Sequence, residues 1–161
     1  LLDINNWHTY SGTSLSKFFL TDATGNKIDR KPEIGDHIKI DLPGPGTKTG
    51  DGYDWVCIEQ FDEKHDTEAD LDFFGFRVRP ASNPTNQDDK PAHFYTDETT
   101  STFIIQRVGL RVTACEKGRN EIVNDGTERA IDNTRNKIVG ILAANGMAIP
   151  QWKILMEGIL K

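Results

Sequence analysis

The sequence predicts an α+β domain: a small, strongly coiled antiparallel β-barrel or sheet of about six strands, packed by two C-terminal helices. Three observations lead there. Short runs of alternating apolar and polar residues recur from Lys17 to Gly118. Beyond Gly118 the apolar period lengthens toward that of a helix. And Ser101 to Gly118 reads as a hairpin with one apolar face, which needs a covering layer.

Folded at Val108-Gly109, that hairpin sets Gln106 opposite Arg111, with Phe103, Ile105, Val112 and Ala114 sharing a face. Ile104, Gln106, Arg111 and Thr113 take the other, mostly polar face. The elements before it follow in order. Residues 1–16 are polar and read as an irregular arm, with Trp7 and Tyr10 as its anchors. Lys17–Leu20 and Lys27–Arg30 flank Asp22-Ala23-Thr24-Gly25-Asn26, whose turn residues predict a short hairpin. Ile38, Ile40 and Leu42 point one way and His37, Lys39 and Asp41 the other, until Pro43-Gly44-Pro45-Gly46 ends the strand. Gly35-Asp36 leading into Ile38-Lys39-Ile40 resembles the first strand of SH3-like barrels, which implies a closed sheet and no functional residue.

Trp55–Phe61 is a central strand, followed by an acidic loop from Asp62 to Asp70. Leu71–Arg79 is next, with Phe74, Phe76 and Val78 inward, Arg77 and Arg79 outward, and Gly75 at an expected bulge. Asn83–Pro91 is polar and proline-bounded, the reading for a mobile loop. Ala92–Tyr95 is a short strand. After Gly118, Asp125-Gly126-Thr127-Glu128 reads as a capping box opening a helix with Ile131, Ile138 and Leu142 on one stripe and Thr134 and Arg135 to its side. A second helix opens at Pro150, with Trp152, Leu155, Met156, Ile159 and Leu160 on one face and Lys153 paired with Glu157 on the other. A helix-grip arrangement is the alternative architecture, and Pro150 counts against it by interrupting the long helix it requires.

The chain of 161 residues suits a single domain, 1–161: arm 1–16, sheet 17–122, helices 125–161. Its net charge of −6 and pI of about 5.2 argue against broad nucleic-acid binding, which needs an excess of Lys and Arg. Apolar residues make up 36%, and mean hydropathy is −0.55, so the core is drawn from the patterned segments alone. No apolar run approaches the ~20 residues of a membrane span, so none is expected, and the cytoplasm is the expected location. The first residue is Leu rather than Met, compatible with a trimmed or removed leader. Cys57 and Cys115 read as buried free thiols, and no Cys/His spacing points to a metal or cofactor; none of either is expected.

Gly44–Thr49 is rejected as a phosphate loop because Thr47, not Gly, precedes Lys48 and a strand follows. The acidic loop lacks the Gly and terminal Glu of a calcium loop. Arg77, Arg79, Arg107 and Arg111 are expected on one outer face beside Phe73, either pairing with Glu59, Asp72 and Glu116 or free to hold a carboxylate, a phosphate or an acidic partner. Trp7, Tyr10, Arg77, Arg79 and Arg111 are the candidate partner-binding residues. His93, Asp97, Arg119, Asn120 and Glu121 gather where hairpin meets helices, a common place for a pocket, and are the candidate ligand-binding residues. No nucleophile motif is present and no catalytic residue is assigned. The expected function is a non-enzymatic protein-binding or assembly module in a larger, bacterial complex, with a protein partner or a second copy as ligand. The alternative is a small hydrolase or ligand-binding protein at the sheet–helix junction.

Overall fold

The computed structural model describes residues 1–10, 16–42, 46–125, 132–134, 136–139 and 150–161. Six antiparallel strands form one sheet in sequence order: β1 Lys17–Thr21, β2 His37–Asp41, β3 Asp54–Asp66, β4 Leu71–Pro80, β5 Thr100–Val108 and β6 Arg111–Arg119. The sheet is open rather than closed into a barrel, and the fold is mainly β, with a few short helices. A 3₁₀ turn at Ile4–Asn6 runs into a helix at Trp7–Tyr10, and a second helix spans Pro150–Ile159.

The inner face of the sheet carries the core. Register places Phe18 beside Ile40, Leu20 beside Ile38, Ile58 beside Val78 and Phe76 beside Phe103, as alternation required. Both helices lie over this face. Leu155 and Met156 are buried, with Trp152 and Ile159 packed against the same cluster. Leu160 is the exception to the predicted stripe and stays exposed.

The arm reading of residues 1–16 is corrected over residues 4–10. Trp7 is fully buried, ringed by Phe18, Phe103, Phe76 and Trp152 at centroid distances of 5.4, 5.2, 6.1 and 6.1 Å. Its indole N–H donates to Leu1 O at 2.8 Å, so the polar edge is satisfied where the ring is dry. The expected hairpin 17–30 is also reduced: beyond one bridge, Thr21 to Lys27, no second strand forms. Asn5 is the physical reason. Its side-chain amide donates to Ile28 O at 2.9 Å and its oxygen accepts from Leu20 N at 3.0 Å, filling the gap between the two segments. β1 therefore pairs with β2 instead.

β3 is longer than its apolar run. Glu63, Lys64 and His65, read as loop, pair with Phe74, Phe73 and Asp72, and the connection shrinks to Thr67–Asp70. The bulge lies in β3, where register shifts between Ile58 and Gln60, and not at Gly75, which pairs regularly with Asp62 and Ile104. Phe73 lies against Gly75 in the space a side chain would fill. The β5–β6 turn is Gly109-Leu110, one residue later than read, with Gly109 at φ 57. Pairing shifts by two in sum, so residues 103–106 and 111–114 keep their predicted faces.

Polar groups, not apolar ones, hold the 132–139 region. Asp132 and Asn136 are buried while Ile138 is 56% exposed, which corrects the stripe reading at that position. Asp132 accepts from Lys48 N, Thr49 N and Thr49 Oγ at 2.9, 3.2 and 2.9 Å. The Thr47–Thr49 turn thus does cradle an anion, and that anion is a carboxylate of its own chain. Asn83–Pro91 is tied to the same turn rather than loose: Asn83 donates to Asp51 at 2.8 Å and Asn86 to Thr49 O at 3.0 Å. Asp125 pairs with Lys137 at 3.6 Å, whereas Glu128, Ile131, Arg135 and Leu142 lie outside the described residues.

Candidate functional site

β6 is the last strand of the sheet and, among the described residues, pairs with β5 alone. A two-residue turn closes on a doubly hydrogen-bonded pair, here Val108 and Arg111, and bonded and non-bonded pairs alternate from it. Thr113, Cys115 and Lys117 therefore bond toward β5. The N–H and C=O groups of Val112, Ala114 and Glu116 face away from it. Further along, the Glu121 carboxylate folds against Gly118 and closes that end of the edge.

The C-terminal helix runs beside this edge, and between them lies a groove of about 420 Å³. Ala114, Trp152, Met156 and Leu160 give it apolar walls, and Glu116 and Glu157 carry its carboxylates. Burial pushes the Glu116 carboxyl up, the nearby Glu121 charge adds to this, and a hydrogen bond from Ser101 works against it. Burial also pushes the Tyr95 phenol up to about 12, with Glu121 and Glu116 contributing.

The opposite side of the strand is basic. Arg111, Lys117 and Arg119 are exposed and have no ion-pair partner among the described residues. That concentration is unusual in a chain of net charge −6. The remaining arginines of the predicted stripe are occupied. Glu59, the extra residue at the β3 bulge, accepts from Arg79 at 2.7 and 3.1 Å and pairs with Arg77. Those hydrogen bonds from Arg79, then the charge of Arg77, hold the Glu59 carboxyl low. Arg107 is corrected to the inner face, opposite Asp72, where it bonds Asp72 at 2.6 Å and Asp70 at 2.7 Å. Of the stripe, Arg111 alone has no ion-pair partner among the described residues.

The structure brings the two halves of the predicted ligand site side by side. Tyr95 bridges Val123, Thr96 N donates to Ile122 O, and Asn124 N donates to Phe94 O. The groups there bind backbone. His93 Nδ1 accepts from Tyr95 N at 3.0 Å, and its carbonyl accepts from Asn124 at 3.1 Å and Asn136 at 3.5 Å. Asp97 lends its carbonyl to Arg79 at 2.6 Å. Asn120, at φ 52, offers its carbonyl to Thr99 at 2.6 Å. Of the partner-binding candidates, Trp7 is removed by burial, and Tyr10 is 42% exposed with its hydroxyl on Asp3 at 3.3 Å.

Nucleophilic chemistry has little support in the cysteines. Both are free, and Cys57, opposite His37 on the outer face, has its thiol pushed up by burial while burial pushes His37 down. That is the reverse of an activated pair. No group of three potential metal ligands occurs among the described residues. Nor is any helix there long and apolar enough to cross a membrane.

Sequence reasoning missed the groove because its walls come from two elements each read as internal packing. One signal was present: the last strand of a meander, followed by helices, has nothing left to pair with. Compared with protein-family models, curated proteins and solved structures, the chain gives no match.

Proposed function

We propose that this chain is a non-enzymatic protein-binding or assembly module, working inside a larger complex and meeting its partner with the β5–β6 hairpin. The observation that carries this reading is the hairpin tip. Val108, Leu110 and Val112 are 48%, 105% and 49% exposed, three apolar side chains within five residues, whereas exposed apolar residues such as Ile34 and Ile122 stand singly in the sequence. Scattered apolar residues on a surface need no explanation, but a local group on a projecting turn costs solubility unless something covers it.

Site-specific photo-crosslinking in the source cells tests this. A photoreactive residue at Leu110 should give a discrete protein adduct, identifiable by mass. The same residue at Ile34, which is 65% exposed but outside the hairpin, should not. No adduct from positions 108, 110 and 112 would remove the proposal.

A further inference from the structure

We infer that β6 is an acceptor for an added strand, and that its occupant is an extended partner segment alternating acidic and apolar residues. This rests on the reading of the chain as a protein-binding module and names the chemistry of what it binds. Three features converge on it. The outward-facing backbone groups of Val112, Ala114 and Glu116 pair with no strand among the described residues and are a template that an incoming strand completes with main-chain hydrogen bonds. Side chains of such a strand alternate between the two faces. Those on the inner face enter the apolar groove between Ala114 and Trp152. Those on the outer face stand beside Arg111 and Lys117, which have no ion-pair partner among the described residues.

The charge pattern selects among occupants. Full-length antiparallel pairing with a second copy, centred on Cys115, sets Arg111 opposite Arg119 at both ends, and like charges directly opposed are unfavourable. Acidic residues in those places remove the repulsion and neutralise the cations. A second copy is therefore the poorer fit.

The test uses the full chain and three synthetic nine-residue peptides: alternating Glu and Val, alternating Lys and Val, and the Glu/Val peptide N-methylated on alternate amides to block strand pairing. Binding is followed by calorimetry and amide chemical shifts. The Glu/Val peptide should bind at least about tenfold tighter than Lys/Val, with shifts concentrated in β6. The exposed-site double variant Arg111→Glu/Lys117→Glu should reverse that preference while the β5 amides keep their protection.

Equal binding of the N-methylated peptide, or of a single-stranded oligonucleotide at the same salt, would reduce the edge to a charge patch and overturn the inference. So would absence of peptide binding, or concentration-dependent self-association through β6. Crosslinks from Leu110 without peptide binding would leave the module reading intact and remove only the strand acceptor. Peptide binding without crosslinks would do the reverse.

Discussion

Asn5 and Trp7 determine how the sheet begins, and neither role was visible in the sequence. Asn5 replaces a strand pairing with side-chain bonds to Ile28 O and Leu20 N, a substitution that no alternation pattern records. Trp7 belongs to a helix of four residues, too short for a period to register, so its polar neighbours dominated the reading. Glu116, read as an outer-face partner for the arginines, lies instead on the inner face opposite Phe103. Its carboxyl is pushed up by burial, then by Glu121, so the folded state binds its proton more tightly than the unfolded chain does. Stability from this group is greatest at low pH and is lost as pH rises from the ordinary carboxylate range through the raised value. Glu116→Gln is accordingly expected to raise the melting temperature at pH 7, with the gain shrinking as the pH falls through the raised value and gone below the ordinary carboxylate value near about 4. A lower melting temperature at pH 7 would mean that the charge itself is used in the folded state.

The two helical regions differ in legibility because they are buried by different chemistry. The helix at Pro150–Ile159 presents Trp152, Leu155, Met156 and Ile159 to the core, and its apolar spacing located it. The region at 132–139 buries Asp132 and Asn136, whose partners are backbone groups far away in sequence, so an apolar stripe was the wrong thing to look for. Close packing adds a position that periodicity cannot flag. A methyl group at Gly158 would stand 1.8 Å from Tyr10 O, so the two helices touch through a glycine. Gly-to-Ala replacement inside a helix ordinarily stabilises by roughly 0.5–1 kcal/mol. Here Gly158→Ala is expected to destabilise by about 1–3 kcal/mol, since the N-terminal segment must move aside. Denaturant titration reads the sign directly, and a gain in stability would show that the crossing is looser than it looks.

The whole-molecule topology was the most legible part. An antiparallel sheet of six strands matches the number read, each connection joining neighbours, although the further strands read at Lys27–Arg30 and Ala92–Tyr95 shrink to isolated bridges. Closure was not legible, because it depends on coil and stagger that local alternation does not encode. The proximity of the two stretches that hold the predicted ligand residues was legible, since Tyr95 bridges Val123. His93 Nδ1 accepts from Tyr95 N, Asp97 and Asn120 lend their carbonyls, and Arg119 has no ion-pair partner among the described residues. The account therefore stands on β6 being open in the isolated chain, and backbone amide hydrogen exchange tests that residue by residue. Thr113, Cys115 and Lys117 should be protected by β5, while Val112, Ala114 and Glu116 should exchange at least about a hundredfold faster. Equal, strong protection of both sets in the isolated chain would contradict it, because the edge would already be paired.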